Sequence, residues 1–97
     1  MTMAPQQWSV GIEATGDEVM TTERIGDLAD AVADAGGIAT GIGRPAYGVT
    51  VLVTADDRDD AINQATEILR RAARQAGLPP WPVSRVEATS EEEAEIS

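Results

Sequence analysis

Glu23, Asp27, Asp30 and Asp34 are spaced four, three and four residues apart. On a helix that spacing lines one face with carboxylates. Only Arg24 is close enough in sequence to offset them. Like charges four residues apart cost about 0.2–0.5 kcal/mol per pair, so the row is a small liability to its own helix. As a functional device it would dock a basic protein partner, and in the extreme it would imitate DNA phosphates. The plainer reading is a solvated face opposite a core stripe.

Other groups carry weaker chemistry. Asp56, Asp57, Asp59 and Asp60 crowd around Arg58. They could hold a hard cation, but the glycine and distant bidentate glutamate of an EF-hand are missing. They stand where a helix start wants a cap and negative charge, so no metal is expected. Glu13 with Asp17 or Glu18 could form an acid–base pair, yet no nucleophile or oxyanion donor accompanies it. Arg70, Arg71 and Arg74 lack lysine and interleaved aromatics, which makes a nucleic-acid surface unexpected. They are read as helix-end charges, with Glu67 pairing to Arg70 or Arg71. Gly41-Ile42-Gly43 enters a hairpin rather than a helix, so it is not a phosphate loop.

Composition removes most catalytic designs. The 97 residues contain no His and no Cys, and all seven basic residues are Arg. Thiolate nucleophiles, histidine bases, Schiff-base lysines and the usual zinc ligands are therefore excluded. The expectation is a protein with no catalytic residues and no cofactor. The net charge of −10 repels nucleic acid and anionic membranes and favours a basic partner. No apolar run reaches membrane length and no signal peptide is visible, so a cytoplasmic protein is expected.

The elements that must position these groups follow from periodicity. Residues 1–6 have no pattern and are expected to be loose. Gln7 to Ala14 alternates as a strand. A helix is expected from Thr21 to Ala35, capped by Thr21 or Thr22, with Ile25, Leu28, Ala29, Val32 and Ala35 or Gly36 in its buried stripe. Gly36-Gly37 stops it. Strands are expected at Ile38–Ile42 and Tyr47–Thr54. A second helix runs from about Arg58 to Ala76, capped by Asp56 or Asp57 and ended by Gly77 and Pro79-Pro80. A last strand is expected from Val83 to Ala88. Residues 90–97 form an acidic end, either a tail or a short helix opened by the capping box Ser90-Glu91-Glu92-Glu93.

The order strand-helix-strand-strand-helix-strand predicts an α+β domain over residues 7–89, of the ferredoxin-like two-layer type. Right-handed crossovers give the sheet order 4-1-3-2, with both helices on one face. The other face lacks a cover. Trp8, Tyr47, Val49, Val51 and Val53 are expected to line it and to form a homodimer interface. Edge pairing of the second or fourth strand is the competing geometry, with Pro82 arguing against the fourth.

This architecture resembles acylphosphatases, which implies an arginine-bearing phosphate loop after the first strand. Thr15-Gly16-Asp17-Glu18 stands there instead, and its acids would repel phosphate. It also resembles nucleoside diphosphate kinases and pterin dehydratases, which depend on histidine. The resemblance to ACT-type domains implies a small effector bound at a dimer interface, and that alternative stays open. Val51-Leu52-Val53-Thr54-Ala55-Asp56-Asp57, the helix from Ala61 to Leu69, and the run from Gly77 to Glu87 resemble a set of short acidic actinobacterial proteins, some encoded in phage-like or integrative elements. That resemblance covers about the C-terminal half and implies no activity.

Overall fold

The computed structural model describes residues 6–90. Two ten-residue strands form its centre: β1 (Gln6–Thr15) and β3 (Ala46–Ala55). They pair antiparallel along their whole length, from Gln6 opposite Ala55 to Thr15 opposite Ala46. β4 (Val83–Ser90) pairs antiparallel with the other edge of β1, and the short β2 (Ile38–Thr40) with the other edge of β3. The sheet order is β2-β3-β1-β4, which is the expected order. The chain is an α+β domain with an open four-stranded antiparallel sheet and two helices.

The helices begin and end where local chemistry demands. α1 (Thr22–Val32) is capped by Thr21, whose Oγ1 accepts from the Arg24 N–H at 3.2 Å. Its last turn tightens into a 3₁₀ turn at Ala33–Ala35, so the α-helix ends three residues short of the expected point, and Ala35 and Gly36, expected in the buried stripe, are exposed instead. Gly36 then closes the turn at φ 70°. α2 (Arg58–Gln75) is capped by Asp57, which accepts from the Asp60 N–H at 2.8 Å. Asp59 and Asp60 lie in its first turn and Arg74 in its last, both favourable to the helix dipole.

Packing follows strand parity. Trp8, Val10, Ile12 and Ala14 stand directly opposite Val53, Val51, Val49 and Tyr47, and all eight are buried. Ile25, Leu28 and Val32 of α1 close over this face, as do Ala61, Ala65, Leu69, Ala72 and Ala73 of α2. The alanine stripe lets α2 lie close to the sheet. Complete burial of one side chain such as Leu28 contributes about 2 kcal/mol.

The covered face corrects one expectation. Trp8, Tyr47, Val49, Val51 and Val53 do not line the open face; they are the floor of the chain's own core. The two aromatics keep their polar tips bonded while buried. The Trp8 indole N–H donates to the Ala55 carbonyl at 3.2 Å, and the Tyr47 hydroxyl donates to the Pro79 carbonyl at 2.5 Å. The opposite parity, Ser9, Gly11, Glu13, Thr50, Leu52 and Thr54, forms the open face. Smaller differences are of register. β1 starts at Gln6, inside the segment expected to be loose, and β2 stops at Thr40 because Gly41 turns the chain at φ 126°. Ile42 leaves the hairpin ladder and bridges Met20 in parallel. The expectations for Met1 to Pro5 and for Glu91-Glu92-Glu93 lie outside the described residues.

Candidate functional site

The acidic row is assembled as its spacing implies. Glu23, Asp27 and Asp30 project from the side of α1 opposite Ile25, Leu28 and Val32, and Asp34 continues the line in the 3₁₀ turn. All four are exposed, and among the described residues none enters an ion pair. Arg24, the one base available to them in sequence, bonds the Glu18 carboxylate instead. The row therefore keeps its full charge toward solvent.

Two of the three carboxylates considered for an acid–base pair, Glu13 and Glu18, are each held by an arginine. The Glu13 carboxylate is bonded by Arg44 at 3.1 and 3.3 Å, while Glu18 belongs to Arg24. In the Asp56–Asp60 run, Asp57 caps α2, and Asp60 accepts from the Gln64 side chain at 3.2 Å. No group of three or more potential metal-ligating side chains converges among the described residues.

The arginine cluster divides in a way the sequence does not show. Arg71 pairs with Glu67 at 3.7 Å, along α2. Arg70 and Arg74 turn the other way, to the rim of a cavity of about 110 Å³ walled by Tyr47, Leu69, Leu78 and Trp81. Among the described residues neither has an acidic partner. The cavity is made by the chain reversal after α2. Leu78 is buried and bonds back from its N–H to the Ala73 carbonyl at 2.8 Å. The following prolines then lay Trp81 over Tyr47, ring centroids 5.5 Å apart and 23° from parallel. Gly16 permits this. A Cβ there would stand 1.9 Å from the Trp81 indole, so the glycine leaves the ring its seat. Burial pushes the Tyr47 phenol above its ordinary value, against a lowering pull from the Trp81 backbone and the Arg70 charge. Tyr47 is thus a neutral hydrogen-bond donor at physiological pH. An apolar wall with two cations at its rim suits a ligand with an aromatic or aliphatic body and an anionic head.

The open sheet face is polar. A shallow hollow of about 140 Å³ lies over Gly11, edged by Glu13, Thr50, Arg85 and Glu87. Among the described residues, the large apolar side chains exposed on this face are Leu52, 58% exposed, and Ile38, 66% exposed, beside Thr50. Among the described residues no helix is long and apolar enough to cross a membrane.

No protein-family model, curated protein or solved structure matches this chain. The aromatic–arginine cavity is the feature that sequence reasoning missed. Its parts lie at residues 16, 47, 69–74 and 78–83, and only packing brings them together. The single available signal was Trp81 between prolines, a large ring held by a stiff chain.

Proposed function

We propose that this chain is a small non-enzymatic interaction module of ferredoxin-like architecture that acts in the cytoplasm by docking a basic protein on the acidic face of α1. The sheet order and the strand-helix alternation support the architecture. The observation that carries the docking reading is the exposed row Glu23, Asp27, Asp30 and Asp34, which pairs with no base among the described residues although Arg24 is adjacent. Like charges kept together at helical spacing weaken the helix slightly and strengthen the outward field. A partner with Lys or Arg at matching spacing would neutralise that field and associate faster at low salt. The test is binding to captured basic proteins by the wild type and by the Glu23→Gln/Asp27→Asn/Asp30→Asn/Asp34→Asn variant, across a salt series. Equal binding by both would refute the reading. A DNA-mimic version predicts in addition that DNA competes for the same partner, and Arg70 and Arg74 restrict that mimicry to the α1 side.

A second reading is favoured by the cavity under Arg70 and Arg74. An ACT-like sensing domain would bind a small anionic molecule there, its apolar part against Trp81 and Leu78. A thermal-shift screen with amino acids, aromatic carboxylates and nucleotides separates the two. It should be flat for a docking module and positive for a sensor.

A further inference from the structure

Open sheet edges are hazards that proteins usually cover, shorten or blunt with proline and lysine. One edge here is managed in that way. β2 is three residues long, and the segment after β1 reaches alongside the chain that follows it, Met20 bridging Ile42. The other edge is different. β4 spans eight residues with no proline inside it, and no described element lies along its outer side.

The direction of its backbone groups can be worked out. The Gly16 N–H donates to the Pro45 carbonyl at 2.9 Å, extending the β1–β3 ladder by one pair. Alternation along β1 then turns Ala14, Ile12 and Val10 toward β3, and Glu13, Gly11 and Ser9 toward β4. The partners of those last three are Arg85, Glu87 and Thr89. Val86 and Ala88 therefore point their N–H and C=O groups outward.

We propose that β4 is a self-association edge, on which a second copy of this chain pairs antiparallel about a two-fold axis at Val86. The sequence around that point is self-complementary. In this register Val86 faces Val86 of the second copy, and Arg85 faces its Glu87, twice over by symmetry. Arg85 and Glu87 already share one face of the strand, with Arg85 Nη2 and Glu87 Oε2 3.9 Å apart. Pairing completes a ring of alternating charges. Val86 lies on the helix side of the sheet yet is 38% exposed, because no helix extends over the edge. The second copy supplies its missing cover. The axis stands perpendicular to the sheet, so the product is one eight-stranded sheet with all helices on one face. The open sheet face is a poorer alternative, since it would take the Glu13–Arg44 pair, Arg85 and Glu87 out of water. The bulge where Ser84 is inserted limits the new ladder to the residues around Val86. Two molecules of net charge −10 repel, so association should tighten as salt rises.

The absence of cysteine makes the test clean. Across a hydrogen-bonded antiparallel pair the Cα atoms stand about 5.5 Å apart, within disulfide reach. Under mild oxidation Val86→Cys should give a covalent dimer on a non-reducing gel. Ala88→Cys, and Val19→Cys on a distant exposed site, should run as monomers on the same gel, since neither residue faces its own copy across the two-fold axis. In solution, Glu87→Arg should weaken the dimer about tenfold, and the swap Arg85→Glu/Glu87→Arg should restore it. Three results would overturn the proposal: cross-linking of Val86→Cys no better than that of Val19→Cys in a folded protein, cross-linking at residue 88 instead, or a wild type that stays monomeric by light scattering at high protein and salt concentration.

Discussion

The two helices carry opposite charges outward, and they do so on different ground. The α1 face offers four exposed carboxylates with no apolar side chain among them. The far end of α2 offers two exposed arginines over a walled apolar cavity. The first surface can only attract; the second can attract and also anchor. Contacts of the first kind are fast, salt-sensitive and tolerant of partner shape. Contacts of the second kind draw affinity from a buried apolar group and select for shape. On the proposed reading, the first surface would serve to find a partner and the second to hold one.

That contrast can be broken at the anchoring end first. Gly16→Val places a side chain where the Trp81 ring sits, so the ring must swing away and uncover Tyr47. The expected cost is about 2 kcal/mol, a fall in melting temperature of roughly 10 °C. A red-shifted tryptophan emission should accompany it. Unchanged emission and melting would show that the cavity wall is not seated as described.

A smaller effect is expected at the phenol inside that wall. Tyr47→Phe removes the bond to the Pro79 carbonyl and should cost about 1 kcal/mol. The same variant sharpens a pH prediction. Tyr47 is the chain's one tyrosine, and there is no His, Cys or Lys. No other side chain titrates between the carboxylate range and the arginines. Because the folded phenol has a raised value, the folded state holds its proton longer than the unfolded state does. Stability should be flat through neutral and mildly alkaline pH, then fall as pH rises from about 10 through the raised folded value. Tyr47→Phe should abolish that alkaline fall, as read by denaturant midpoints.

The acidic end should show the least change in stability and the opposite sign. Replacing Asp27 and Asp30 by Asn removes repulsion within the row and should stabilise α1 by about 0.5 kcal/mol at low salt. The gain should vanish at high salt. A loss of stability, checked by thermal melts, would mean that these carboxylates have structural partners.

The contrast also marks how far the residues could be read in advance. The acidic row was legible because helical spacing alone places Glu23, Asp27, Asp30 and Asp34 together. Caps at Thr21 and Asp57, and the sheet order, were legible for the same local reasons. Parity of β3 was legible too, but not which parity the helices cover. From sequence, Trp8 and Tyr47 read as outward anchors for a partner. Their indole and phenol groups instead bond carbonyls at Ala55 and Pro79, 47 and 32 residues distant, which no local pattern announces. The cavity was illegible in the same way. It depends on Gly16 accepting a ring from Trp81 across the molecule.

The docking claim meets its most direct test in a comparative capture from cells that make the protein, with immobilised wild type and the Glu23→Gln/Asp27→Asn/Asp30→Asn/Asp34→Asn variant side by side. The expected result is a basic protein that the wild type retains at low salt, that moderate salt releases, and that the variant fails to hold. Retention of the same protein by both, or retention that salt does not loosen, would contradict it.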